Sequence, residues 1–273
     1  MLDRFVCNHR NPLIWLEIPM VNVVVESSTT IDSDRVASDP IIAAIDIGTN
    51  SIHMVIVRII TSLPAFSIIA REKETVRLGD RDPQTGNLTP EAIDRAVGAL
   101  KRCQEVAKSL NVHQIFAVAT SAVREAPNGH EFVRLIETEL GLAVNIISGQ
   151  EEARRIYLGV LSGVEFNNIP HLIIDIGGGS TELILGDSHE PRTLSSTKIG
   201  AVRLTSEFLS VNPVSDRSLS YLQAFVRGQL ERAIDKIKAN LQPGETPKMI
   251  GTSGTIETLA AVLNLDKNGQ VPD

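Results

Sequence analysis

Residues 44–56 read A-I-D-I-G-T-N-S-I-H-M-V-I, and residues 173–185 read I-I-D-I-G-G-G-S-T-E-L-I-L; they are one phrase written twice. The copies align without a gap, so that Asp46 falls on Asp175, Gly48 on Gly177, Ser51 on Ser180 and Met54 on Leu183. Each copy has an apolar run ending in Asp, a turn of small residues with a hydroxyl, and a second apolar run. That order predicts a strand, a tight turn and a returning strand. Two such hairpins facing across a cleft would present two Gly/Ser/Thr loops and two carboxylates to one ligand. Loops of this kind hold phosphates, because free backbone N–H groups point inward and glycine lets the backbone approach closely. An Asp at each strand end can hold a divalent cation directly or through water.

The flanking pattern supports two related halves. Ile41–Ile47, Ile52–Ile60 and Phe66–Val76 read as strands around the first loop. Thr89-Pro90 opens a helix whose apolar face is Ile93, Val97, Leu100, Cys103, Val106 and Leu110. A strand over Ile115–Ala119, a helix over His130–Leu140 stopped by Gly141, and a strand over Val144–Ile147 follow. Ser148 and Glu151 form a capping box for a helix running to about Leu161. The second half then gives strands at His171–Ile176, Glu182–Leu185 and Thr193–Lys198. A helix over Leu219–Leu241 turns Leu222, Phe225, Val226, Leu230, Ile234 and Ile237 inward. A strand at Lys248–Ile250 runs into Gly251-Thr-Ser-Gly254 and a last helix. Three antiparallel strands followed by helix–strand units, done twice, make two α/β lobes with a cleft between them.

Residues 1–40 show no clear period and read as a poorly ordered extension, with Met20 inside it as an alternative start. Pro12–Val25 is apolar behind Arg4 and Arg10. It is interrupted by Glu17 and Asn22, and no small-residue cleavage pattern follows, so it reads neither as a membrane span nor as a signal peptide. Cys7 and Cys103 fit no disulfide framework and no metal spacing, which makes a reducing cytoplasm the expectation. The net charge of −7 argues against nonspecific binding to DNA, RNA or acidic membranes. It also sits awkwardly with a polyanionic substrate.

The two hairpin phrases, with A-T-S-A-V-R-E-A at 119–126, I-S-G-Q-E-E-A-R at 147–154 and G-T-S-G-T at 251–255, resemble the exopolyphosphatase/guanosine pentaphosphate phosphatase family. E-E-A-R followed by D-I-G-G-G-S-T-E is the sharpest part of the match. The resemblance spans roughly residues 41–262. It implies an α/β protein of two ribonuclease H-like (actin-like ATPase) lobes, mixed sheets flanked by helices, with the active site in the cleft. The division expected is residues 1–40 as the extension, 41–154 as the first lobe and 155–273 as a second lobe truncated at its C-terminus, because family members continue for several dozen residues more.

The activity implied is Mg²⁺-dependent removal of terminal phosphate from inorganic polyphosphate, guanosine pentaphosphate or both. Longer versions of the fold commonly dimerise, so a homodimer is compatible with the resemblance. By position, Glu152 matches the catalytic glutamate that positions or deprotonates water. Asp46, Asp175 and Glu182 match the metal- and water-holding carboxylates. Thr49, Asn50 and Ser51 match the first phosphate loop, and Gly177, Gly178, Gly179 and Ser180 the second. Arg124 matches a phosphate-contacting arginine, with Arg77 and Arg203 as weaker candidates. Gly251, Ser253 and Gly254 form a nucleotide-side loop that shapes the cleft or accommodates a guanosine end.

Hydrolysis of a phosphoanhydride asks for the same groups independently: charge neutralisation on the transferred phosphoryl, an aligned water and a held leaving group. Arginine adds a bidentate grip on phosphate oxygens. Glu152 lies in the first turn of its helix, where the dipole favours its charged form, so it is expected to orient water more than remove a proton. Two competing readings are a non-catalytic binder of polyphosphate or alarmone, and an ATPase or sugar kinase of the same superfamily. A kinase needs a sugar-facing base and an adenosine pocket, which E-E-A-R does not supply.

Overall fold

The structure, a computed structural model, describes residues 39–268 except 64, 168, 210 and 212, with side chains through Leu263. The apolar stretch Pro12–Val25, Met20, Cys7 and nearly all of the expected extension lie outside the described residues.

The first sheet is built as its apolar alternation dictates. β1 (Ile41–Ile47) pairs antiparallel with β2 (Ser51–Ile60), and β2 with β3 (Ala65–Thr75). After α1 (Pro90–Ser109) the chain returns as β4 (Gln114–Ala119), parallel to β1. Then come α2 (Ser121–Glu125), α3 (Gly129–Leu140) and β5 (Val144–Ile146), which gives the strand order β3-β2-β1-β4-β5. Thr89 caps α1 by accepting the Ala92 N–H, and Gly141 ends α3 at φ 62°, where the missing Cβ removes the steric penalty. Ala43, Ile45 and Ile47 join Ala96 and Leu100 of α1 and Phe132 and Ile136 of α3 in one buried core. Fully burying each larger side chain contributes about 1.5–3 kcal/mol.

From β5 the chain crosses to the second sheet through α4 (Gly149–Gly163). β6 (His171–Ile176), β7 (Thr181–Gly186) and β8 (Pro191–Thr197) repeat the antiparallel meander. α5 (Ala201–Phe208) and α6 (Asp216–Ala239) lead to β9 (Lys248–Thr252), parallel to β6, and α7 (Ser253–Asn268) follows. The order is β8-β7-β6-β9, one strand fewer than in the first sheet among the described residues. β7 is buried along its whole length because both faces are covered. Ile184 packs with Ala153, Ile156 and Tyr157 of α4, while Leu183 and Leu185 pack with Ala233 and Ile237 of α6. Period two therefore puts Glu182 on the α4 face, beside Ile184.

The repeated phrase makes the same register twice: Asp46 opposes His53 in one hairpin, and Asp175 opposes Glu182 in the other. Several expectations need correction. Residues 121–125 and 201–208 form helices that no period announced. Ser148 does cap α4, but the Glu151 carboxylate turns to Arg154 and Arg155 instead of closing the capping box. Ile234 is 39% exposed, because only the Ala233/Ile237 edge of α6 meets the sheet. No helix among the described residues is long and apolar enough to cross a membrane.

Candidate active site

The two glycine loops have the same internal closure. Gly48 N–H donates to the Ser51 carbonyl at 3.1 Å, and Gly177 N–H to the Ser180 carbonyl at 3.0 Å. Each loop is also held from behind by the segment that follows its sheet's third strand. Thr49 O accepts from Gly79 N–H, and Asn50 O from the amides of Val76 and Arg77, the latter at φ 51°. In the second loop, Gly177 O accepts from Ala201 N–H at 2.9 Å and Gly178 O from Arg203 N–H at 3.1 Å. Gly179 O accepts from Arg203 Nε at 3.0 Å. In a trans peptide the N–H points opposite to the C=O. Three consecutive carbonyls tied to residues 201–203 therefore turn the amides of Gly178, Gly179 and Ser180 the other way, as a cradle for an anion.

This second copy of the backing segment was missed in the sequence, although a signal exists: Arg77-Leu78-Gly79 and Lys198-Ile199-Gly200 are alike and follow β3 and β8. Gly200 is obligatory there, since a Cβ on it would meet the Gly178 and Gly179 backbone at 2.4 Å.

The loops meet across the cleft. A Cβ on Gly179 would lie 2.5 Å from Ser121 Oγ and 2.6 Å from Thr49 Oγ1. Thr49, Ser51 and Ser180 are all buried. Asn50 is exposed, with its amide 3.4 Å from Ser51 Oγ.

Four carboxyls from four elements lie close enough to act on one another: Asp46 on β1, Glu152 on α4, Asp175 on β6 and Glu182 on β7. Burial pushes Asp46 up to about 7, with Glu152 and Asp175 adding repulsion, and its Oδ1 is buried with no hydrogen-bond partner. Burial also pushes up Asp175, against the hydrogen bond from Thr252, whose Oγ1 donates to its Oδ2 at 2.6 Å. Glu182 is pushed well above the usual carboxylate range by burial and then by Glu152 and Asp175, although Ser196 Oγ donates to it at 2.7 Å. Ser196 and Thr252 are site residues that the sequence did not single out. Neither belongs to a repeated phrase, and both reach the site through strand pairing.

Glu152 is 7% exposed. Burial raises its carboxyl, the hydrogen bond and charge of Arg124 lower it, and the charges of Asp175 and Glu125 raise it again, with a net rise. Burial and the neighbouring carboxylates thus act against the helix terminus, which favours the charged form. Arg124, at the end of α2, donates through Nη1 to Glu152 Oε2 at 2.8 Å and to the Ile147 carbonyl at 2.9 Å. The Arg203 guanidinium is engaged by Gly179 O and by Glu125, not open to the cleft. Gly251 ends against Ile256, Ser253 sits at φ 72° with Oγ donating to the Ile176 carbonyl, and Gly254 has open space around it. That strand end touches Asp175 through Thr252.

The carboxyls offer a hard divalent cation oxygen donors only, one of them buried without a hydrogen-bond partner. Among the described residues, no three of His, Cys, Asp or Glu are grouped so that they could hold a metal ion by themselves. An ion held here would have to complete its shell with water and phosphate oxygens, as Mg²⁺ does.

A sequence model of the Ppx/GppA phosphatase family matches residues 55–272. The chain is 34% identical over 228 residues to exopolyphosphatase 2 of Mycobacterium tuberculosis, covering 81% of this chain and 70% of that protein. The crystal structure of an exopolyphosphatase from Cytophaga hutchinsonii superposes with TM-score 0.76 at 31% identity, over 85% of this chain and 72% of the other. The Aquifex aeolicus member of the Ppx/GppA family superposes with TM-score 0.65 at 30% identity, over the same shares. The chain belongs to the Ppx/GppA phosphatase family.

Proposed function

We propose that this member of the Ppx/GppA phosphatase family hydrolyses the terminal phosphoanhydride bond of inorganic polyphosphate, with Mg²⁺, and releases orthophosphate. The observation that carries the reading is Glu152: a buried carboxyl with raised proton affinity, aimed by Arg124, beside two loops built to hold phosphate. The amides of Gly178, Gly179 and Ser180, with the hydroxyls of Thr49, Ser51 and Ser180, receive the terminal phosphoryl oxygens. Glu152 accepts a proton from the attacking water and holds that water in line. Arg124 keeps the Glu152 carboxylate oriented and adds positive charge near the transferred group.

Asp46, Asp175 and Glu182 would hold the Mg²⁺. When bound, the ion neutralises charge on the phosphate oxygens and on this acidic cluster. Guanosine pentaphosphate ends in the same chemical group. Its nucleoside end would lie toward Gly251, Ser253 and Gly254, where the backbone leaves space at Gly254.

The test is orthophosphate release from long-chain polyphosphate and from guanosine pentaphosphate, each with Mg²⁺ and with chelator. Release from polyphosphate that stops with chelator supports the reading. Release from the nucleotide alone would move the substrate to the alarmone, and binding without release would leave a polyphosphate- or alarmone-binding protein.

A further inference from the structure

Arg203 joins the second glycine loop to the opposite lobe. Its Nε donates to Gly179 O at 3.0 Å and its Nη2 to Glu125 Oε2 at 2.7 Å, while its backbone amide holds Gly178 O. Glu125 ends α2 in the first lobe. Its Oε1 accepts from Ser121 Oγ at 3.1 Å, and Lys198 Nζ lies 3.5 Å from Oε2. The Arg203 and Glu125 side chains are only 22% and 11% exposed, so their attraction is weakly screened. Ser121 Oγ in turn packs against the Cα of Gly179, where no Cβ could fit.

A ring of contacts therefore runs from the Gly179 carbonyl through Arg203, Glu125 and Ser121 back to Gly179. Only arginine offers two donors at a fixed angle within one plane, so the direction of that carbonyl depends on where Glu125 sits.

We infer that Arg203 is a positioning residue for the phosphate cradle, and that Glu125 of the opposite lobe sets its aim through their ion pair. The amide of Ser180, antiparallel to the Gly179 carbonyl, points correctly only when the two lobes are in register. The inference rests on reading the site as phosphate-binding. It differs in sign from a direct phosphate contact by Arg203. Were the guanidinium merely parked on Glu125, removing the Glu125 charge would free a cation and tighten anion binding. If Glu125 aims the cradle, the same change weakens binding.

The test uses tripolyphosphate with Mg²⁺, its binding measured calorimetrically in a Glu152→Gln background, and phosphate release from long-chain polyphosphate in the otherwise native chain. The variants are Glu125→Gln, Arg203→Lys, Arg203→Met and Glu125→Gln with Arg203→Met. Glu125→Gln and Arg203→Met should each weaken binding and lower kcat/KM on the order of tenfold, and the double variant should be no worse than Arg203→Met. Arg203→Lys keeps the charge but not the fork, and should recover melting temperature more than binding. Tighter binding in Glu125→Gln, additive losses in the double variant, or lowered melting with unchanged binding would each overturn the inference. Wild-type protein that binds but releases no phosphate would sink the phosphatase reading alone and leave this comparison intact. Failure to bind at all would sink both.

Discussion

Arg124 Nη1 stands 2.8 Å from Glu152 Oε2 and 2.9 Å from the Ile147 carbonyl, so one nitrogen ties the end of α2 to the chain entering α4. Both residues of the pair are largely shielded, with side chains 21% and 9% exposed. In that setting the arginine fixes the direction of the carboxylate and lowers its proton affinity against burial.

Arg124→Met should therefore change the pH–rate profile as well as the rate. Arg124 lowers the Glu152 carboxyl against burial, so its removal lets burial raise it further. The acidic limb of kcat moves to higher pH, because the base form appears later. The rate near neutral pH falls by roughly 10²–10⁴-fold, the usual worth of a positioned base. An unchanged limb with reduced kcat would mean that Arg124 acts on the substrate alone.

The acidic cluster predicts an inverted stability profile without metal. Asp46 is raised from 3.8 to about 7 in the fold, and Asp175, Glu152 and Glu182 are raised too. Between the unfolded and folded values the folded state binds more protons, so stability falls as pH rises through that window. In chelator the protein should melt at least about 2 °C higher at pH 5 than at pH 8, the shift that roughly 1 kcal/mol gives a chain of this size. Added Mg²⁺ should restore the loss at pH 8. A melting temperature that rises from pH 5 to pH 8 in chelator, with no response to Mg²⁺, would contradict the arrangement.

Gly200→Ala puts a Cβ 2.4 Å from the Gly178 and Gly179 backbone, which cannot yield as a flexible side chain would. It should cost about 1–3 kcal/mol, as overpacking does, and displace the phosphate cradle. Gly228→Ala, where nothing lies within 4 Å on α6, serves as control and should be neutral or stabilising. Denaturant midpoints compare the two; equal losses would refute the packing described for Gly200.

The hairpins around both glycine loops were legible in the sequence because their signals are local: alternation, a terminal Asp and small-residue turns. So were α1, with its Thr89 cap, and α3, with Gly141 at its end. α2 and α5 were not. Neither is long enough to show a period, and both are fixed by tertiary contact, α5 through the carbonyls of Gly177 and Gly178. Candidate residues inside the repeated phrases were singled out by that repetition and by the family resemblance. Thr252, Ser196 and Glu125 were not, since each reaches the site through strand pairing or lobe contact that spacing does not encode. The burial that acts on Glu152 was not legible for the same reason. The residue's place at a helix start is local, whereas burial among Asp175 and Glu125 is not.

The most direct measurement is orthophosphate release from long-chain polyphosphate in Mg²⁺, comparing the native chain with Glu152→Gln, both confirmed as folded by circular dichroism. Gln keeps the shape and the contact with Arg124 but cannot accept a proton. Release by the native chain and a loss of at least about 10²-fold in the variant is the predicted result. Equal release from both would contradict the role of Glu152, and a native chain that binds polyphosphate without release would contradict catalysis itself.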